Sequence, residues 1–153
     1  KTERKRMTDI KHHVVKGEVM WANVIYPKNN YNGEPEYSIK VKTDIEPLYE
    51  LGLNKKTKQD EDGYIKFKRN PINKNGDASP PSIVDSQLIP WDFKVGIGNG
   101  SFCAVRLAMI PYEQFGGGIA FRIDGIQVIK HVPYELKDPT EGFDKVDEGE
   151  LPF

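Results

Sequence analysis

Hydrophobic and polar positions alternate most coherently over residues 95–134, VGIGNGSFCAVRLAMIPYEQFGGGIAFRIDGIQVIKHVPY. The alternation predicts two long strands, Ser101–Ile110 and Ile119–Val132, joined by a glycine turn at Gly116-Gly117-Gly118. Cys103, Val105, Leu107 and Met109 share one face of the first strand, and Phe102, Ala104, Arg106 and Ala108 share the other. In the second, Ile119, Phe121 and Ile123 form the core side, and Ala120, Arg122 and Asp124 the outer side. Beyond Gly125 the phase flips to Ile126, Val128 and Val132. A parity change at a glycine marks a bulge, which lets a strand bend around a small barrel. Arg106 and Arg122 then lie close together across the hairpin, on outer faces. Neighbouring alanines leave a shallow floor for a flat ligand.

The remaining segments are shorter. Gly17–Tyr26 is apolar on both faces, as in a covered strand. Pro27–Pro35 is a polar connection with an Asn32-Gly33 turn. Tyr37–Thr43 alternates, with Tyr37, Ile39 and Val41 on one side and Ser38, Lys40 and Lys42 on the other. Asp44–Leu53 holds a short helix, with Asp44 as cap and Gly52 as stop. Asn54–Asp62 is a charged loop. Gly63–Arg69 is a strand with Tyr64, Lys66 and Lys68 on one face and Ile65 and Phe67 on the other. Asn70–Ser82 is a long loop rich in Pro, Gly and Asn. Ile83–Val84 and Phe93–Ile97 are short apolar runs. Strands, long loops and little helix predict an all-β domain, and the glycine-marked bend favours a small barrel over a sandwich.

Charge divides the chain. Residues 135–153 hold seven acids and two lysines, a net of −5, and residues 1–134 carry +4. The expected organisation is a basic N-terminal arm over 1–16, a barrel over 17–134 and an acidic C-terminal tail over 135–153. No run of 18 apolar residues exists, so no membrane span is expected. The basic start lacks the apolar stretch of a secretory signal. One cysteine on a core face excludes a disulfide framework within the chain.

Enzyme signatures are missing. Gly98-Asn99-Gly100-Ser101 precedes a strand and lacks the Lys-Ser/Thr ending of a phosphate-cradling loop. No G-x-S-x-G motif is present. His12-His13 point to opposite faces of an extended chain, so no metal site and no cofactor are expected. Single-strand binding instead needs cations for phosphates and aromatic platforms for bases. Lys40, Lys42, Lys66, Lys68, Arg69, Arg106 and Arg122 are candidates for the first role. Trp21, Tyr37, Tyr64, Trp91 and Tyr112 are candidates for the second. The plainer reading is that strand lysines solubilise a sheet and that some of these rings are core. The chain ends Asp147-Glu148-Gly149-Glu150-Leu151-Pro152-Phe153, an acidic run around one apolar anchor. It suits a partner's basic pocket, or this chain's own basic groove as a mimic of a nucleic-acid backbone. Its plainer role is that of a solubilising tail.

This end is similar to the tip of bacterial single-stranded-DNA-binding proteins, which closes with acids and Ile-Pro-Phe; here Leu151 replaces the Ile. The body resembles phage-encoded single-stranded-DNA-binding proteins. The matching segments are Gly17…Ala22-Asn23…Pro27 with Tyr37-Ser38, Ile97-Gly98-Asn99-Gly100-Ser101, and Gly125-Ile126-Gln127-Val128-Ile129…Val132-Pro133-Tyr134. The resemblance implies an OB-fold, a five-stranded Greek-key barrel with long loops and one short helix. It implies a non-enzymatic protein that coats single-stranded DNA during phage replication, recombination and repair, in the cytoplasm of an infected bacterium. It further implies a monomer or homodimer whose tail, Asp147, Glu148, Glu150, Leu151, Pro152 and Phe153, recruits replication and recombination proteins and competes with DNA for the groove. The rival readings are an RNA-binding OB domain and a structural virion β-sandwich.

Overall fold

The computed structural model describes residues 10–133. The first nine residues of the basic arm and the whole acidic tail, with its proposed partner-binding tip, lie outside the described residues. Six strands and one short helix follow in order: β1 (Lys11–Asn29), β2 (Pro35–Lys42), α1 (Glu46–Glu50), β3 (Tyr64–Arg69), β4 (Ser82–Asp85), β5 (Phe102–Tyr112) and β6 (Gly118–Lys130). β1 pairs antiparallel with β2 and with β5, β2 with β3, and β5 with β6. A parallel pairing between β3 and β6 closes the ring, so the barrel runs β1-β2-β3-β6-β5. β4 lies outside that ring, parallel to the later half of β6 from Gly125 to Val128.

β1 starts earlier than its apolar pattern indicates. Residues 11–16, grouped with the arm on sequence grounds, pair with β5 from Lys11–Met109 to Lys16–Ala104. Their alternation is hidden because His12, Val14 and Lys16 all face out, while His13 is only half-buried and Val15 alone fills the core. The Phe93–Ile97 run forms a turn, not a strand, and within it only Ile97 makes a β-bridge, to Pro133.

The core follows the alternation. Ile39 and Val41 of β2, Ile65 and Phe67 of β3, Cys103, Val105 and Leu107 of β5, and Ile123, Ile126 and Val128 of β6 are all buried together. α1 sits where β2 ends and β3 begins and adds the fully buried Leu48. Asp44 stands one residue ahead of the cap position and accepts a hydrogen bond from the Glu46 N–H at 3.1 Å. The helix stops at Gly52, whose φ of +114° suits glycine alone.

The expected bulge is present. Pairing of β5 with β6 shifts between Arg106–Gly125 and Leu107–Ile123, leaving Asp124 as the extra residue. This shift carries the apolar set across the parity change, so Ile123 and Ile126 both face inward. A second knot joins the ends of the barrel strands. The Gly98 N–H donates to the Val132 carbonyl at 2.8 Å, and a Cβ at Gly98 would stand 2.5 Å from that oxygen. Buried Ser101 accepts from the Val132 N–H at 2.8 Å, while its carbonyl accepts from Val19. The Gly-Asn-Gly-Ser segment is thus a structural clasp between β1, β5 and the end of β6.

Candidate nucleic-acid interface

Two adjacent strands carry four lysines on one outward face. Register places Ser38 opposite Lys68, Lys40 opposite Lys66, and Lys42 opposite Tyr64. The intervening residues, Ile39 with Phe67 and Val41 with Ile65, point into the core, so the alternation forces the lysines outward. Like charges directly opposite one another destabilise a sheet. Acids at the margins relieve part of this repulsion: Lys40 meets Asp60 at 3.4 Å and Lys66 meets Glu36 at 3.3 Å. Burial alone would raise the Glu36 carboxyl, but hydrogen bonds from Asn30 and Lys66, with Lys68 nearby, hold it below its ordinary value. Asp60 is likewise lowered, chiefly by accepting the Tyr64 N–H.

Beside this face the barrel is split. β3 and β6 meet at one register pair, Lys68–Arg122. Towards the tip of the β5–β6 hairpin the two strands diverge and leave a groove of about 450 Å³. Lys66 and Lys68 line one wall, Ala120 and Phe121 the other, and Lys56 and Tyr112 stand at its end. Phe121 and Tyr112 are half-buried, so each keeps part of a ring accessible. Lys68 and Arg122 are exposed. The combination is cations and partly accessible aromatic rings along one channel, which suits a phosphate backbone carrying flat bases.

The other sequence candidates are placed differently. Arg106 and Arg122 fall two register steps apart, Arg122 opposite Ala108 and Arg106 opposite Gly125. The Arg106 guanidinium pairs with Asp124, which also faces His12 at 3.6 Å. The alanines beside Arg106 make no open floor, since Ala104 and Ala108 are themselves buried, whereas Ala120 beside Arg122 is exposed and lines the groove. Tyr37 and Tyr64 are also buried, at 7% and 8% exposure, and neither offers an open ring face. Burial, with Glu18 alongside, raises the Tyr64 hydroxyl above its ordinary value. Lys42 lies 6.0 Å above that ring. Arg69 is turned to the scaffold: its Nη1 donates to the Ile123 carbonyl at 2.8 Å, and Nε and Nη2 donate to the carbonyl and hydroxyl of Ser79, each at 2.7 Å. Trp91 donates from Nε1 to the Val95 carbonyl at 2.9 Å and packs edge-on against His131. Trp21 is 59% exposed and is not among the residues lining the split.

Sequence reasoning missed Lys56 and Phe121. Lys56 belongs to a charged run that reads as solvated loop. Phe121 has core parity, and only the divergence of β3 from β6 uncovers it.

A five-stranded barrel ordered β1-β2-β3-β6-β5, closed by one parallel pairing and basic on β2–β3, is an OB-fold. No family model matches the chain, and no curated protein matches it significantly. Solved structures do match. The crystal structure of gp2.5, a single-stranded DNA binding protein encoded by bacteriophage T7, superposes with a TM-score of 0.57 at 16% identity, covering 89% of this chain and 98% of that one. The C-terminally truncated single-stranded DNA-binding protein of bacteriophage Enc34 gives 0.54 at 14% identity, over 80% and 88% of the two chains. The same Enc34 protein in complex with single-stranded DNA gives 0.52 at 11% identity, over 81% and 89%. At such identities the likeness establishes the shared fold. Among the described residues, no helix is long and apolar enough to cross a membrane.

Proposed function

We propose that this chain binds single-stranded DNA without sequence preference, as a coating protein and not an enzyme. The observation that carries this is the split barrel: Lys56, Lys66 and Lys68 line a groove with Phe121 and Tyr112, and Arg122 stands at its head opposite Lys68, on the fold shared with phage single-stranded-DNA-binding proteins. Lys40 and Lys42 extend the phosphate track across β2. Four lysines on two paired strands repel one another, an arrangement that a polyanion relieves. The proposed setting is phage DNA replication, recombination and repair in the cytoplasm of an infected bacterium.

Competition of labelled oligo-dT against unlabelled oligo-rU and duplex DNA of equal length tests this reading. Preference for dT over both supports it; preference for rU favours an RNA-binding OB domain. A purely structural virion role predicts binding to none of the three.

The Lys66–Glu36 pair competes with phosphate. Glu36→Gln should therefore tighten oligo-dT binding, by up to about 5-fold given the worth of exposed ion pairs; anisotropy titration reads it. Because Glu36 titrates below its ordinary value, the pair is intact at neutral pH and is lost only as pH falls through that lowered value.

The tail, residues 147–153, is proposed to recruit replication and recombination proteins and to occupy the basic groove when DNA is absent. Its deletion should tighten DNA binding at low salt and lose that effect at high salt, where screening removes the competition. Unchanged affinity at low salt would refute the self-competition.

A further inference from the structure

A second groove, of about 520 Å³, opens beside β1. β1 outruns β5 there: their pairing ends at Glu18–Phe102, and β1 continues with β2 on one side only. The vacated side is faced by residues 93–99. Three large aromatic rings line the groove and stand in solvent, Trp21 at 59%, Tyr26 at 73% and Phe93 at 56% exposure. Lys28 and Lys94 are the charged residues among its described lining, and no acid is present there.

Trp21 is held in an unfavourable geometry to stay there. Its φ is +50°, a left-handed conformation that bulky residues avoid. The Asn99 side-chain carbonyl accepts the Trp21 N–H at 2.8 Å, and the Asn23 amide donates to the Trp21 carbonyl at 3.3 Å. The clasp that fixes Asn99, with Gly98 against Val132 and Gly100 at φ +94°, thus also fixes the indole. A ring that served the core would be buried; this one is exposed at a strained position maintained by two side-chain hydrogen bonds.

We propose that this groove is a second base-stacking site, where Trp21, Tyr26 and Phe93 take bases of the same single strand whose phosphates cross the basic face. The proposal rests on the single-strand-binding reading given above. Continuity carries the choice of occupant. Asn23 in this groove is the register partner of Ser38, and Ser38 is the partner of Lys68, which lines the split. Adjacent strands are about 4.8 Å apart, so this row joins the two grooves over roughly 10 Å. The next outward pair along the two strands is Lys40 with Lys66. The lysines on the aromatic groove match a polyanion.

The test uses the full chain with Trp21→Leu and Phe93→Leu together, which keep apolar bulk and remove the ring faces. Oligo-dT is varied from about 4 to about 16 nucleotides, the range of OB-fold site sizes. The expected result is little change for the shortest oligomer and a loss of about 10-fold or more for the longest, as removing stacked rings requires. In a Trp91→Phe background, where Trp21 is the remaining tryptophan, long oligomers should quench emission and the shortest should not. A double Leu variant that binds every length as the parent does overturns the proposal. So does a variant whose sedimentation shifts to a smaller species with DNA affinity unchanged, which makes the groove an interface between copies of the chain. The reading beneath it is judged separately, by Lys68→Glu with Arg122→Glu: if that variant also binds all lengths normally, the basic face itself is not the DNA site.

Discussion

Replacing Lys68 and Arg122 together by glutamate is expected to weaken oligo-dT binding at least about 100-fold near about 0.1 M salt. The two residues form the one register pair between β3 and β6, both are exposed, and neither has an ion-pair partner among the described residues. They stand at the head of the split, where a strand entering the groove from the β2–β3 face must pass. Reversal puts two negative charges where two positive ones stood, so attraction becomes repulsion. The salt slope should also fall by about 1.4, since each phosphate of a single strand that is no longer neutralised removes roughly 0.7. Thermal unfolding should change little, since one like-charge neighbour pair replaces another. Anisotropy titration across a salt series measures both effects, and retained affinity with an unchanged slope would remove these residues from the DNA path.

Arg69→Ala is expected to do the reverse. Arg69 reads from the sequence as the end of a basic stripe, yet its donors are spent on Ser79 and on the Ile123 carbonyl. It locks the loop after β3 onto β6 at the point where β3 gives way to β4 as the neighbour of β6. Burial lowers its pKa, partly offset by Asp124, as expected for a guanidinium held within the scaffold. Hydrogen bonds from a charged group contribute about 1.5–3 kcal/mol each, and their loss strands a carbonyl. A destabilisation of about 3 kcal/mol by urea unfolding is the expected result, with DNA affinity of the folded variant within about 3-fold of the parent. Lost affinity at unchanged stability would return Arg69 to the phosphate-binding set.

This contrast shows what alternation conveys. Parity along β2, β3, β5 and β6 sorted inward from outward residues correctly, and the phase change at Gly125 marked the bulge, because side chains in a strand have a strict period of two. The barrel and its lysine face were therefore legible. Parity says nothing about what covers an outward residue. Tyr64 and Ala108 face outward and are buried by neighbours. Arg69 has the parity of Ile65 and Phe67, not of the lysines, and its donors go to Ser79 and Ile123. Nor does parity show where two strands part. Phe121 has the parity of the core, and the groove exists only because β6 and β3 meet at Arg122 and diverge from there. Lys56 comes from a loop with no period. The start of β1 was lost because polar residues there sit on a paired but outward face.

The central claim is that the OB barrel grips single strands through the basic split between β3 and β6. Titration of the full chain with labelled oligo-dT over a range of salt concentrations tests it most directly. The predicted result is tight binding at low salt, linear weakening of log affinity against log salt with a slope of about −3 or steeper, as about four or more neutralised phosphates require, and weak binding to a duplex of the same length. An absence of binding at about 50 mM salt, where counterion release favours association most, or equal affinity for duplex and single strand, would contradict it.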